Sequence, residues 1–371
     1  MLPFRMGMRV TGREFCGRRD ELAQLREYMQ AAGRVYVVGD RRIGKTSLIF
    51  EAARTLTRHR LVYVDLMAIK TVADLSQRLA RAVVQTERQH ARVLTLLKEL
   101  ATLRPAISVD PTTNLPAVSF EPGSGNRPET LDSIFALFES WNNAIVVFDE
   151  FQDIQSLADS ESIIARLRGL VQQQDRTAFV FCGSVRSRME EIFTHSSSPF
   201  FNAAMRLFVG PLERRPFSRF LERKFNAGER RLGLGVLEAI LDTCQDNPGD
   251  AQRFCTALWQ VTRQDQQIVE TDLVQAWTMI FAMQEDQYEM ILQNLSPQQS
   301  QVLRARGQAG SHSNLGKEFI ENTGISLLPS VTKALDGLIK KRIVQKTGTT
   351  YRLCDPFLGA WLARAVSGSA R

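Results

Sequence analysis

Residues 34–56 read RVYVVGDRRIGKTSLIFEAARTL, and this stretch decides the fold of the 371-residue chain. Its opening run, RVYVV, is typical of a β-strand that is covered on both faces. The string GDRRIGKT at residues 39–46 follows directly, matches the Walker A pattern GxxxxGK(S/T) and leads into helical periodicity. Strand, glycine-rich loop and helix in this order predict a P-loop, whose backbone N–H groups surround phosphate oxygens.

The loop offers different groups to different parts of a nucleoside triphosphate. Its glycines allow the backbone to bend around phosphate, and Lys45 is placed to reach the β and γ phosphates. The Thr46 hydroxyl is placed to complete the shell of Mg²⁺. The side chains of Arg41 and Arg42 point either at phosphate or at a lid or partner. We expect nucleotide contacts along the whole loop, at Gly39, Asp40, Arg41, Arg42, Ile43, Gly44, Lys45, Thr46 and Ser47.

A second motif supplies carboxylates. The run AIVVFDEF at residues 144–151 indicates a buried strand that ends in Asp149 and Glu150. Asp149 is placed to hold magnesium through water, and Glu150 to polarise the attacking water. A strand that merely ends in two acids is the alternative, and taken alone it would be favoured. Together with the P-loop it becomes the minor interpretation.

A third strand, TAFVFCGS at residues 177–184, ends in Ser184. A serine hydroxyl there suits a hydrogen bond to the γ-phosphate or to its water. Ordinary turn chemistry explains a serine after a glycine equally well. The sequence lacks the string NKxD, with which GTPases read their base, and this favours ATP as the nucleotide.

Alternating β-rich and helical stretches extend to about residue 212. The β-rich runs are residues 34–39, 61–67, 144–150, 177–183 and 205–212. This pattern predicts a parallel sheet between two layers of helices, the three-layer α/β fold of P-loop NTPases. We therefore predict an α/β ATPase domain at residues 1–212. A long helix ending near Leu103 is followed by a β-hairpin insertion at 104–126, which either covers a sheet edge or touches a partner.

The remainder of the chain predicts two smaller domains. Residues 213–285 show only helical periodicity, which indicates an all-helical lid domain. Residues 286–371 show three helical stretches and then a β-ribbon, KRIVQKTGTTYRLCD, with a tight turn at Gly348. Three helices followed by a two-stranded ribbon is the winged-helix order.

The excess of positive over negative charge is confined to the last of these domains. Residues 291–371 hold 11 Lys and Arg against 4 Asp and Glu, while the rest of the chain holds 36 of each sign. We predict DNA contact through residues 326–352, where a recognition helix would be followed by the wing. Alternatively, the same charges complement a helix C-terminus and the domain contacts a partner protein.

Composition excludes several other classes of protein. With 44% hydrophobic and 23% charged residues, the chain is globular in type, and no apolar run is long enough to span a membrane. Arg5 and Arg9 interrupt the first apolar residues before a signal-peptide core forms. The five cysteines are scattered without CxxC spacing, so a disulfide framework or zinc site is not indicated. We expect a cytoplasmic protein without membrane partners.

Six motifs together resemble the prokaryotic AAA-type ATPases known as the archaeal ATPase family, relatives of the STAND signalling NTPases and of archaeal origin-recognition initiators. They are FCGRRDEL (15–22), GDRRIGKTSL, VVFDEFQDI, CGSVRSRM, SPFFNAAMRLFVGPL and YRLCDPFLGAWL. The resemblance covers nearly the whole chain. It implies an ATPase core, a helical lid and a C-terminal winged helix, with ATP and Mg²⁺ as ligands.

The resemblance also implies roles for further residues. Gly17 and Arg18 match the box that lines the adenine pocket, although a helix N-cap with exposed charge explains them too. Arg253 lies near the sensor-2 position, but Gln252 occupies the arginine slot of the GDAR pattern. If the protein hydrolyses ATP as a homo-oligomer, an arginine finger is expected. Its candidates are Arg188 and Arg206, each of which would otherwise be solvated or ion-paired.

Three functional hypotheses follow. The first is an ATPase, slow or partner-stimulated, in which ATP draws the lid onto the core and re-aims the winged helix at DNA or a partner protein. The second is a regulatory scaffold that binds ATP structurally with negligible turnover. The third is a DNA-bound oligomeric ATPase of the initiator type.

Overall fold

The computed structural model describes residues 3–86, 105–109, 116–120, 128–184, 186–308, 317–347 and 350–368. The chain divides into two compact units. The first unit is Met8–Gly210, and the second unit is Met1–Gly7 together with Pro211–Arg371. The finer division at 1–212, 213–285 and 286–371 stays a prediction.

A parallel sheet forms the centre of the first unit, as the sequence predicts. Its strands are β1 Arg34–Val38, β2 Arg60–Asp65, β5 Ala144–Asp149, β6 Ala178–Gly183 and β7 Met205–Phe208. Among the described residues their order is β2-β5-β6-β1-β7, and all four neighbouring pairs are parallel. Strand β6 therefore lies between the strand that precedes the P-loop and the strand that carries the two acids. The carboxyl ends of all three strands meet at one edge of the sheet.

Helices cover both faces of this sheet. Strand β1 shows why: Val35 and Val37 join one buried cluster, whereas Tyr36 and Val38 join the other. The first cluster includes side chains of α1 Arg19–Gln30 and α2 Lys45–Arg54. The second includes side chains of α3 Val72–Thr86, α4 Pro128–Ser140, α5 Ser160–Gln172 and α6 Arg186–Thr194. Burial on both faces explains the continuous apolar runs of the sequence.

The predicted hairpin insertion is present as two strands. Strand β3 Pro105–Val109 pairs antiparallel with β4 Pro116–Phe120. The connecting turn lies outside the described residues, as does the stretch in which we expect a helix ending near Leu103.

The second unit is mainly helical. Its helices are α7 Arg214–Asn226, α8 Val236–Cys244, α9 Pro248–Val261, α10 Glu270–Gln293, α11 Pro297–Gln308, α12 Lys317–Thr323, α13 Leu328–Lys340 and α14 Pro356–Gly368. Strands β8 Arg231–Leu232 and β9 Gln267–Ile268 form a short parallel pair that the sequence pattern did not predict. No helix among the described residues is long and apolar enough to cross a membrane.

The C-terminal part of this unit has the winged-helix order. Helices α11, α12 and α13 precede an antiparallel ribbon of β10 Val344–Thr347 and β11 Thr350–Leu353. The predicted recognition helix corresponds to α13, which buries Val331, Leu335 and Leu338 at helical spacing. Gly348 lies outside the described residues, so its turn stays a prediction.

The start of the chain packs into the second unit. Phe4 is buried, and its ring lies 5.0 Å from the Phe225 ring and 6.1 Å from the Trp259 ring. The Lys224 ammonium donates to the Pro3 carbonyl at 2.7 Å. These contacts place residues before Gly7 against α7 and α9.

Candidate functional site

The loop between β1 and α2 has a backbone that suits glycine at two points. Gly44 has φ 94°, in the left-handed region, and immediately precedes the first residue of α2. A Cβ at Gly39 would lie 2.3 Å from the Val209 carbonyl oxygen, closer than non-bonded atoms approach. The loop therefore passes so close to the segment after β7 that no side chain fits at residue 39.

Lys45 is held by the loop itself. Its ammonium group is buried and donates to the carbonyl oxygens of Gly39 at 3.0 Å and Asp40 at 2.9 Å. An ammonium group carries three N–H donors, so this arrangement leaves one for a ligand. The lysine is thereby positioned at the mouth of the loop.

Thr46 and Asp149 meet although they are 103 residues apart in sequence. The Thr46 hydroxyl donates to Oδ2 of Asp149 at 2.9 Å. The same oxygen accepts from the Tyr63 hydroxyl at 2.6 Å, and Oδ1 accepts the Glu150 backbone N–H at 3.0 Å. The end of β5 is therefore hydrogen-bonded to the first turn of α2.

This arrangement fits a magnesium ion. Because a carboxylate only accepts hydrogen bonds, the Thr46 hydroxyl is the donor to Asp149, and its oxygen lone pairs stay available for a ligand. Hydroxyl and carboxylate oxygens are the ligand types that Mg²⁺ takes, usually together with water and phosphate oxygens. The residues present therefore match the group that the sequence predicts.

Glu150 turns away from the strand and takes separate partners. Its φ is 50°, a left-handed conformation that non-glycine residues rarely adopt. Its Oε2 accepts from the Ser184 hydroxyl at 2.8 Å and from the side-chain amide of Gln152. Gln152 is fully buried. The structure thus brings Ser184, at the end of β6, to the second acid.

Two neutral donors shape the electrostatics around Asp149. Burial raises the pKa of Tyr63, and the charge and hydrogen bond of Asp149 raise it further. Burial likewise raises the pKa of Cys182 on β6, with a second contribution from Asp149. Both groups stay protonated, so they stabilise the carboxylate as hydrogen-bond donors and bring no charge of their own.

Arg18 contacts the loop from the other side. Its backbone is left-handed, with φ 65°, directly before α1. The guanidinium is buried and donates to the Ile43 carbonyl at 3.0 Å and to Glu21 at 3.0 Å. Burial lowers the pKa of Arg18, and Glu21 opposes that shift. The adenine-pocket role of Gly17 and Arg18 stays a prediction, while the contact with Ile43 makes Arg18 a support of the loop.

Four other candidate arginines lie at exposed positions of the first unit. Arg188 is exposed on α6, and Arg206 on β7 forms an ion pair with Glu190 at 2.9 Å. Arg41 and Arg42 are exposed within the loop.

Arg253 belongs to the second unit. Its guanidinium lies 3.2 Å from the Asp355 carboxylate, 3.3 Å from the Tyr288 hydroxyl and 4.2 Å from the centre of the Phe357 ring. Asp355 and Phe357 come from the DPFLGAWL motif, so this contact joins α9 to the start of α14.

Sequence reasoning missed two residues of the site, Tyr63 and Gln152. Tyr63 was visible only as one residue of an apolar strand, LVYVDLM. Gln152 follows the acid pair at a distance of two, and no spacing rule assigns it a role. Their contacts depend on strand neighbours that the sequence does not specify.

Comparison with protein families identifies the two parts of the chain. A model described as "AAA ATPase domain" matches residues 14–181, which include the loop, both acids and most of β6. A model described as "Probable winged helix domain" matches residues 286–364. The chain carries an AAA ATPase domain and a C-terminal winged helix. The resemblance to AAA-type ATPases with a C-terminal winged helix is thereby confirmed, and nucleotide binding is what such a domain implies.

Several solved structures share the fold of this chain. The Walker-type ATPase PABY2304 of Pyrococcus abyssi is 18% identical, with a TM-score of 0.67 over 97% of this chain and 99% of that chain. The ORC1 protein of Aeropyrum pernix, solved in complex with DNA, is 16% identical, with a TM-score of 0.52 over 96% and 94% of the two chains. The ORC2 protein of the same organism, solved in ADPNP–ADP complexes, is 19% identical, with a TM-score of 0.52 over 95% and 93%. No curated protein sequence matches the chain.

Proposed function

We propose that the first unit binds ATP with Mg²⁺ and hydrolyses it to ADP and phosphate. The hydrogen bond of 2.9 Å between Thr46 and Asp149 carries this proposal. It joins the P-loop helix to the acid-bearing strand at the point where one ion would contact both. A P-loop whose acids lay elsewhere would lack this feature.

Each residue has a distinct task in the proposal. Lys45 binds the β and γ phosphates through its remaining N–H, and the loop amides from Asp40 to Thr46 surround the phosphate chain. Thr46 and Asp149 would hold Mg²⁺, which neutralises charge that develops on the phosphate oxygens. Glu150 orients and polarises the attacking water. Ser184, whose hydroxyl is hydrogen-bonded to Glu150, would contact the same water or the γ-phosphate.

The contacts of Glu150 support slow or partner-stimulated turnover. Its Oε2 already accepts two hydrogen bonds, from Ser184 and Gln152. While these two bonds are formed, the same oxygen has less capacity to accept a hydrogen bond from the attacking water. A rearrangement that frees this oxygen would raise activity. The same contacts also support a second candidate function, a regulatory protein that retains ATP with negligible turnover.

The winged helix is the proposed output of an ATP-driven switch. Lys333 and Lys340 on α13 are exposed, and the excess positive charge of the chain lies in this region. We propose contact with DNA phosphates there, as the complex of A. pernix ORC1 with DNA suggests for the fold. A partner protein is the alternative. In a homo-oligomer, Arg188 or Arg206 would supply an arginine finger. The ion pair of Arg253 with Asp355 favours a structural role for Arg253 over a sensor role.

Phosphate release under multiple turnover tests the proposed reaction. Lys45→Ala is expected to lose nucleotide binding. Glu150→Gln is expected to keep nucleotide binding, and its turnover rate should fall about 100-fold or more because the general base is removed. Equal phosphate release by both variants and the unaltered protein would reject the assigned site. Tight retention of ATP with no difference between Glu150→Gln and the unaltered protein would favour the regulatory function instead.

A further inference from the structure

Asp149 has a second hydroxyl donor that the proposed reaction does not use. Tyr63 lies on β2, beside β5, and its hydroxyl donates to Oδ2 of Asp149 at 2.6 Å. Thr46 donates to the same oxygen at 2.9 Å. One carboxylate oxygen therefore accepts one hydrogen bond from the P-loop helix and another from the neighbouring strand. Together these two bonds hold the carboxylate in a single orientation.

Packing fixes the Tyr63 ring in turn. Its ring centre lies 5.1 Å from that of Phe50, which is four residues after Thr46 on the same helix. The guanidinium of Arg9 lies 3.6 Å from the centre of the Phe50 ring. An aromatic neighbour, itself covered by a cation, restricts the rotation of Tyr63 and so the position of its hydroxyl.

The segment that carries Arg9 is itself tied to α2. The Val10 N–H donates to the Ser47 hydroxyl at 3.1 Å, and the Gly12 N–H donates to Glu51 at 2.7 Å. This segment precedes the residues that the AAA model matches. The support of Tyr63 therefore begins outside the matched part of the domain.

We infer that Tyr63 is a positioning residue for Asp149: its hydroxyl holds the carboxylate in the orientation in which Asp149 and Thr46 can share one Mg²⁺ ion. This inference rests on the proposed function. The contacts of Tyr63 described above go to Asp149 and to the Phe50 ring, so we expect its effect on the site to act through the carboxylate. Without the hydroxyl, Asp149 rotates more freely, and binding of the ion has to restrict that rotation.

Tyr63→Phe tests the inference through the magnesium dependence of nucleotide binding. A fluorescent ATP analogue is titrated onto the protein at a series of Mg²⁺ concentrations and in EDTA. We expect the Mg²⁺ concentration for half-maximal binding to rise about tenfold, as for loss of one hydrogen bond to a charged group. Affinity in EDTA, which depends on Lys45 and the loop amides, should stay unchanged.

Tyr36→Phe is the matched control. Tyr36 lies on β1 of the same sheet and stacks on Phe193, with ring centres 4.5 Å apart, in the buried cluster on the opposite face. This variant should titrate as the unaltered protein does. Phe50→Leu keeps the Tyr63 hydroxyl but loosens its ring, so it should shift the magnesium dependence in the same direction by less. It also provides a test if Tyr63→Phe does not fold.

The outcomes separate this inference from the proposed function. If the unaltered protein shows no magnesium-dependent binding, the proposed function fails. If it does, and Tyr63→Phe has the same magnesium dependence, the positioning role is wrong. Equal weakening in EDTA and in magnesium would also overturn it, since Tyr63 would then act on the loop instead of on Asp149.

Discussion

Lys45 in the first unit and Arg253 in the second are both cations within signature motifs, and their surroundings differ. Lys45 donates to two carbonyls of its own loop and keeps one N–H for a ligand. Arg253 meets a carboxylate, a hydroxyl and an aromatic face, all from its own unit. The partners of Lys45 therefore hold it at the nucleotide loop, whereas those of Arg253 join α9 to the start of α14.

The exposed lysines of α13 form a third case. Lys333 and Lys340 are exposed to solvent. A charged side chain there has little effect on the free energy of unfolding, and its contacts with other charges are weak. The three cases predict different responses to substitution. Changes at the nucleotide loop should alter ligand handling, changes at Arg253 should alter stability, and changes at the exposed lysines should alter only salt-sensitive contacts.

Gly39→Ala should have the largest effect. The new Cβ would meet the Val209 carbonyl at 2.3 Å, so the loop backbone has to move and its amides leave the phosphate positions. We expect kcat/KM for ATP to fall about 100-fold, the loss that a small misplacement causes. Steady-state phosphate release measures it.

Gly169→Ala is the control for that change. Gly169 lies within α5, and a Cβ there meets nothing within 4 Å. Turnover should stay the same and the first unit should become more stable by about 1 kcal/mol, since alanine favours helix over glycine. Equal turnover by both variants would show that the close approach at Gly39 is irrelevant to the site.

Arg253→Met should have an intermediate effect, on stability alone. It removes the charge that pairs with Asp355; the side chain of Arg253 is 12% exposed and that of Asp355 is 23% exposed. We expect a loss of about 2 kcal/mol, less than for a fully buried pair. Urea unfolding followed by tryptophan fluorescence measures it, because Trp259, Trp277 and Trp361 lie in the second unit.

Arg214→Met provides the comparison within the same unit. Arg214 is 43% exposed and pairs with Asp242 and Asp246, so its removal should cost at most about 1 kcal/mol. The proposed difference between Lys45 and Arg253 would be contradicted if Arg253→Met left the free energy of unfolding unchanged but weakened ATP binding. Arg253 would then act on the nucleotide, as the sensor-2 resemblance implies.

Lys333→Gln should have the smallest effect. If the lysine contacts a DNA phosphate, affinity for duplex DNA falls modestly, and the slope of log affinity against log salt decreases by about 1. Lys70→Gln, an exposed lysine of the first unit, should leave the slope unchanged. If the unaltered protein binds no DNA even at low salt, the winged helix has a different partner.

The sequence predicted the strands and the nucleotide loop because their signals are local. Apolar runs mark β1, β2, β5 and β6, and glycines mark the points at which the backbone bends. It did not predict the pair β8 and β9, because two residues are too short to leave a pattern. Helix α10 continues to Gln293, past the boundary predicted at 285/286, since helical periodicity alone does not mark a domain border.

The supporting contacts could not be predicted for a different reason. Tyr63 and Asp149 are 86 residues apart, and Arg253 and Asp355 are 102 apart. Each contact requires the order of elements in space, such as β2 beside β5, which hydrophobic pattern does not encode. The acids and the lysine to which we assign roles in the reaction stand out in the sequence, whereas the residues that contact them do not.

The placement of Phe4 affects how the protein can be dissected. A fragment cut at the 210/211 junction and expressed from Pro211 onward would lack the ring that covers Phe225 and Trp259. Two aromatic surfaces would then face solvent, and such fragments tend to self-associate. If the second unit is produced alone, from Pro211 onward, residues 1–7 should therefore be fused to its N-terminus through a flexible linker.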